Sequence, residues 1–364
     1  MSQSRSALYL RLEPFLLPVL NLGLALLVSG LIIFSIGENP LKALQVIFQG
    51  SFGSGEGLGY TLFYSTNYIF TGLAVAVAYH AGLFNIGCEG QAYVGGLGVS
   101  FVGLYLGGLP AWCVIILGIL AGALFGAAWA YVPAWLQARK GSHIVITTIM
   151  FNFIGSALMT WLLVVVLIKP GQQAPESREF SNHAFLPSLK GLFSYAGINL
   201  GQSPLNLALL ISLTAAVAIW FLLWRTRFGY QLRVAGTSPA AARYAGISPE
   251  NFMLKAMLLS GALAGCLGLN ELMGSQHRLT LDFPAGAGFI GIAVALMGRN
   301  NPIGICFSAL LFGALVQGGG ELAFEMPHIS HALVIVIQGL VILFCGALDQ
   351  LLKKPLRRIF TTTV

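Results

Sequence analysis

"PVLNLGLALLVSGLIIFSIG", residues 18–37, decides the fold class. The stretch holds no charged residue, and as a helix rising about 1.5 Å per residue it reaches the ~30 Å of a bilayer's hydrocarbon core. A helix packed on a soluble core would carry a polar stripe on its outer face, and none is seen here. The run is longer than the roughly 7–15 residues of a signal-peptide core, and no A-x-A cleavage site follows it. It reads as a retained transmembrane helix.

The signature recurs down the chain, as in "HALVIVIQGLVILFCGAL" at 331–348. Apolar runs bounded by Gly, Pro and charge predict about ten helices, over 15–37, 60–80, 91–108, 111–133, 144–168, 204–224, 254–273, 284–298, 303–321 and 331–348. Composition agrees: of 364 residues 57% are hydrophobic and 9% charged, against roughly 25% charged in soluble domains. The alternation of a membrane barrel is absent. The expectation is an all-α, polytopic integral membrane protein forming one transmembrane domain over 1–364. Its tails are short, with a polar loop at about 169–203 and another at about 225–254.

Lys and Arg orient the spans. With the N-terminus in the cytoplasm, Arg5, Arg11, Arg139, Lys140, Arg225, Arg227, Arg233, Arg243, Lys255, Arg299, Lys353, Lys354, Arg357 and Arg358 fall inside. Lys42, Lys169, Arg178, Lys190 and Arg278 fall outside, so fourteen of nineteen are internal and both termini are cytoplasmic. The net charge of +7 therefore reflects topology, and no nucleic-acid partner is expected. Cys88, Cys113, Cys266, Cys306 and Cys345 lie scattered in apolar segments with no C-x-x-C, which reads as small buried hydrophobes rather than disulfides or metal ligands.

Three polar features stand out of this background. "GLFNIGCEGQ" (82–91) places Asn85, Glu89 and Gln91 at the edge of a span. Asn270 and Glu271 form a second polar pair late in another. The third is the loop "RTRFGYQLRVAGTSPAAARYAGISPENF" (225–252). There Ser238 is an N-cap followed by Pro239 at the first helical position, and Gly246 suits the residue just past a helix. Ser248-Pro249 repeats the start signal. The helix between them is only about two turns, and isolated helices shorter than ~12–15 residues are marginal in water. It is either an ordinary surface connector or a segment that another protein holds, with Ala241, Arg243 and Tyr244 on its surface.

No G-x-x-x-x-G-K-[ST] occurs, so the chain carries no phosphate-cradling loop of that type. Nor does it show a Ser/His/Asp constellation or paired His and carboxylates within one span, which disfavours an intramembrane enzyme.

Four stretches, "GLFNIGCEGQ", "HIVITTIMFNFI" (143–154), "GTSPAAARYAGIS" (236–248) and "GFIGIAVALMGRNNPIG" (288–304), together resemble permease subunits of bacterial ABC importers. The resemblance is to the branched-chain amino acid/simple sugar permease family, nearest its nucleoside and simple-sugar members, and runs over about 60–350. It implies a second permease subunit, a paralogue or a copy of this chain, lying alongside in the bacterial plasma membrane. Cytoplasmic ATP-binding cassette ATPases and an extracytoplasmic solute-binding protein complete the expected assembly. Such a chain binds no cofactor, ATP being used by the partner. Residues 239–246 then correspond to a coupling helix, and Ser238, Pro239, Ala241, Arg243, Tyr244 and Gly246 to the ATPase-coupling loop. By the same resemblance Asn85, Glu89, Gln91, Asn270 and Glu271 would line or brace the solute pathway. The other reading of Glu89 is a cap on the N-terminus of the third span, where a carboxylate is favoured. An ion-coupled secondary transporter of a small polar solute is the rival function; it calls for acidic residues in mid-span, whereas most carboxylates here lie near span ends or in loops.

Overall fold

The structure, a computed structural model, describes residues 20–169 and 171–346. The expected cytoplasmic charges at Arg5, Arg11, Lys353, Lys354, Arg357 and Arg358 lie outside those residues, as do 15–19 and 347–348 of the first and last expected spans. Among the described residues the chain is helical, and its backbone bridges Ile168↔Ser177, Glu176↔Thr280 and Ser188↔Asn206 are isolated.

In chain order the helices are α1 (Leu20–Ser35), α2 (Pro40–Phe52), α3 (Gly55–His80), α4 (Cys88–Tyr105), α5 (Ala111–Lys140) and α6 (Ile144–Trp161), the last running on as a π turn through Leu162–Val166. There follow α7 (Lys190–Tyr195), α8 (Ala208–Arg225), α9 (Arg227–Thr237), α10 (Pro239–Tyr244) and α11 (Pro249–Gly265), which continues as a π segment, Leu269–Gln276. The last are α12 (Ala287–Met297), α13 (Pro302–Glu325) and α14 (His331–Gly346).

Each of the ten expected spans coincides with a helix, but not each is a full crossing. Among the described residues six helices are long and apolar enough to cross a membrane: α3, α5, α6 and α11 with their π continuations, α8 and α13. The α1–α2 pair, bent by 118° at its break, makes a seventh if counted as one span. The chain is a multi-pass α-helical membrane protein. The eleven residues of α12 reach about 16 Å, roughly half the hydrocarbon thickness. Helix α4 is long enough, yet its first turn carries Glu89 and Gln91. It affords that polarity because positions 88–100 are all buried by protein rather than lipid.

Three boundaries differ from expectation for physical reasons. Helix α5 does not stop at Pro133; it runs to Lys140 and closes on Gly141 in the left-handed region at φ 70. Proline is tolerated in membrane helices because neighbouring groups re-satisfy the freed carbonyl. Helix α2 was not expected, although Asn39 caps it by accepting from Leu41 N–H and Pro40 sits at its first position. The loop 225–254 contains α9, capped by Thr226, whose side chain accepts from Gly229 N–H.

The described residues form two compact units: those up to Gly57 with those from Ala314 onward, and Leu58–Gly313. The first has a core of Ile33, Val46, Leu322, Met326 and Ile337 with neighbours from the same helices. In the second, α4 packs against α5, α6, α11 and α12, and α5 against α11. Small residues make that last approach possible. Gly122, Gly126 and Ala130 recur every four residues on α5 and meet Gly261 and Gly265 of α11. A Cβ on Gly265 would stand 2.1 Å from the Gly122 carbonyl oxygen, the close backbone contact that small-xxx-small patterns permit in membranes.

Contacts within this second unit also sort the connections into two ends. At one, Arg139 donates to Asn251 (3.0 Å), His80 meets the Asn300 carbonyl (3.0 Å), and Gly82 abuts Gly236 of α9. At the other, loop 169–203 binds the last turn of α4, with Arg178 on the Leu104 carbonyl (3.1 Å), and joins Leu279 through Ser177.

Candidate functional site

The stretch 82–91 is a re-entrant turn that starts α4 inside the protein. Gly82 takes φ 74, and 83–86 have no regular structure before α4 opens at Cys88. Ser260 of α11 donates to the Ala74 carbonyl (2.6 Å) and accepts from Asn85 Nδ2 (2.8 Å). Ala74 lies six residues before the end of α3, so the turn dips about 9 Å along the bundle. Backbone so placed must be satisfied by protein. Asn85 Oδ1 accepts from Gly87 N–H (2.8 Å), and Asn152 of α6 accepts from Gly90 N–H (2.9 Å) while donating to the Ile86 carbonyl (2.9 Å).

Asn85 and Gln91 bond each other reciprocally, Asn85 Nδ2 to Gln91 Oε1 at 2.9 Å and Gln91 Nε2 to Asn85 Oδ1 at 3.2 Å, and both are buried. The geometry makes them mutual partners within a knot of α3, α4 and α11.

Glu89 has different partners. Its Oε1 accepts from Gly286 N–H (2.9 Å) and its Oε2 from Gly288 N–H (2.7 Å). The carboxylate thus sits on the N-terminus of α12, not on that of its own helix, whose N-cap Gly87 makes no side-chain bond. Two charge-assisted bonds at a helix end, each contributing about 1.5–3 kcal/mol, fix where the half-length helix begins. The segment 277–286 that leads into α12 has His277, Asp282, Ala285 and Gly286 at positive φ, and Tyr93 O–H donates to Asp282 (2.6 Å). Two residues of the first turns of α4, Glu89 and Tyr93, therefore hold the approach to α12.

The second cluster forms around the π segment of α11. Asn270 is fully buried; it donates to the Phe63 carbonyl (3.0 Å) and to Asn67 Oδ1 (2.8 Å), and accepts from Asn206 Nδ2 (3.0 Å). Glu271, next in sequence, is only partly buried. It accepts from Asn67 Nδ2 (2.6 Å) and from Gln276 Nε2 (3.3 Å). The sequence singled out Asn270 and Glu271 but missed Asn67, Asn206 and Ser260, single amides and a hydroxyl in apolar runs that carry no local signal. Asn152 was within reach, since it belongs to "HIVITTIMFNFI".

The loop helix α10 is built as its sequence signals foretell. Ser238 Oγ accepts from Ala241 N–H (3.3 Å), Pro239 is the first helical residue, and Gly246 takes φ 73. The Gly246 N–H donates to Arg243 (3.0 Å) and the Ile247 N–H to Ala242 (2.9 Å), closing the helix. Only Ala242 is buried; Pro239, Ala241, Arg243 and Gly246 are exposed, and Tyr244 is 97% exposed. Arg243 pairs with Glu250 at 2.6 Å, bracing α10 against the start of α11.

Among the described residues no His, Cys, Asp or Glu group could hold a metal ion, and Cys88, Cys113, Cys266 and Cys306 are free thiols.

A multi-pass helical protein with a re-entrant half-helix, interior amides and carboxylates, and a capped, solvent-facing loop helix has the build of a membrane transport subunit. The chain belongs to the family of branched-chain amino acid transport system permease components, whose sequence profile matches residues 57–346. It is a transport subunit rather than an enzyme. Its relatives include the glucose ABC transporter permease protein TsgB13 of Haloferax volcanii, 36% identical over 90% of this chain and 86% of that one. The guanosine ABC transporter permease protein NupP of Bacillus subtilis is 34% identical over 93% of this chain and 94% of its own length. The nucleoside ABC transporter permease protein NupB of Lactococcus lactis is 31% identical over 90% of each.

Proposed function

We propose that this chain is the membrane-spanning subunit of an ATP-driven importer of nucleosides or simple sugars. In this reading it lies beside a second permease chain, takes solute from an extracytoplasmic binding protein, and is driven by cytoplasmic ATP-binding cassette ATPases. It sits in the plasma membrane of a bacterium with both termini in the cytoplasm. ATP is hydrolysed on the partner, and this chain needs no cofactor. The relatives' names support the transporter class and the range of solutes.

The observation that carries the reading is α10. A helix of six residues is far below the length that is stable alone, yet this one is capped at both ends, braced by an ion pair and turned to solvent along nearly its whole surface. Such a build suits insertion into a groove on another protein, and the ATPase is the partner that this position calls for.

The test is assembly with a co-expressed ATP-binding cassette ATPase. Gly246→Pro cannot keep φ 73, because proline is fixed near −65°. Ala241→Asp puts a charge on the exposed face. Both variants should insert at normal levels and lose co-purification of the ATPase, at least about tenfold, with solute uptake falling alongside. Retained co-purification and uptake in both would make α10 a plain connector.

A further inference from the structure

The two interior carboxylates are not alike. Glu89 has both oxygens occupied by backbone N–H groups of a helix end. Glu271 is held only by the neutral amides of Asn67 and Gln276. Ion pairs join Arg243 to Glu250 and Arg278 to Glu176, and among the described residues no cation pairs with Glu271. A carboxylate has about four lone-pair positions, and two fixed donors leave acceptor capacity unused on each oxygen. Glu271 belongs to the apolar stretch Pro249–Gln276, and an ionisable side chain inside a span is costly and marks function by default. Its position comes from the π segment, a backbone form frequent at functional sites.

The α3 face that carries the donor to Glu271 is aromatic one and two turns away. Tyr60 and Tyr64 lie one turn apart on α3, their rings stacked with centroids 6.5 Å apart at 29°, and both are partly exposed. Asn67, the donor to Glu271, is the next residue along the same helical face. This strip lies toward the end of the second unit that carries loop 169–203, where Gly59 abuts Ser203.

We propose that Tyr60, Tyr64 and Glu271 form a solute subsite in that half of the route, recognising the planar, N–H-bearing base of a nucleoside. The base stacks on the tyrosine rings and its N–H donors bond the free lone pairs of Glu271. The inference rests on the importer reading above and narrows its solute. Aromatic stacking tolerates any base, so the carboxylate supplies the preference for bases with donors, and a guanine edge, with adjacent ring and exocyclic N–H groups, suits two oxygens best. Asn270 takes no part, because its bonds are spent inside the fold.

The test is ATP-dependent uptake of guanosine, ribose and glucose by the complete transporter, with permease level and unstimulated ATPase rate measured in parallel. Glu271→Gln and Tyr64→Ala should each lower guanosine uptake at least about fivefold at an unchanged permease level, and Tyr64→Phe should restore it. Guanosine uptake above half the wild-type rate in both Glu271→Gln and Tyr64→Ala would overturn the subsite. So would a wild-type transporter that carries a sugar and not guanosine. A wild-type assembly that moves none of the three solutes with ATP would instead count against the importer reading.

Discussion

Glu89 shows how one side chain can set the start of a helix that lies far away in sequence. Its two acceptors meet Gly286 and Gly288 N–H, and Gly288 cannot be replaced cheaply, since a Cβ there would stand 2.3 Å from the Glu89 nitrogen. Removing the carboxylate by Glu89→Ala leaves two interior N–H groups without partners, at about 1–3 kcal/mol each. Glu89→Gln keeps one acceptor and turns an amide N–H toward a donor, so its loss should be about half. The expected result is a graded fall in thermal stability of the purified protein, wild type above Gln above Ala, with uptake per folded molecule falling in the same order for every solute. Full stability combined with loss of one solute only would make Glu89 a solute ligand instead.

Among the elements, α5 and α11 depend on the absence of side chains at Gly122, Gly126, Gly261 and Gly265. Gly265→Val would force the backbones apart, at about 1–3 kcal/mol or more for overpacking, and should sharply lower the amount of inserted protein. Gly320→Val, where a Cβ meets nothing within 4 Å, is the matched control and should be neutral. Equal yields for the two would show that the close contact carries no stability.

Much at this scale was legible in the sequence. The length and apolarity of the runs located α3, α5, α8 and α13, and the Ser-Pro and Gly signals gave α10 almost residue by residue, because caps act locally. Long-range partners were not legible. That Glu89 caps α12, nearly two hundred residues away, follows only from the packing of α4, and the π register that separates the roles of Asn270 and Glu271 leaves no periodic trace. The half-length of α12 was hidden for a related reason. An apolar run of this kind reads the same whether it crosses the bilayer or ends against a carboxylate within the protein.

For the whole molecule, the Lys/Arg bias and the sorting of connections into two ends make a joint statement about sidedness. Reporter fusions after residues 140 and 235 should report cytoplasm, and one near 185 the outside. A cytoplasmic report at 185 would reverse the orientation and detach α10 from any cytoplasmic partner. In the importer reading this chain moves solute only when an ATPase drives it. The most direct measurement is uptake of labelled guanosine and glucose into proteoliposomes. The chain would be reconstituted alone and with its permease partner, ATPase and binding protein, each with ATP or with an imposed proton or sodium gradient. Uptake of at least one solute is expected from the full assembly with ATP, and none from the chain alone under either gradient. Gradient-driven accumulation through the chain alone, unaffected by ATP, would contradict the importer reading.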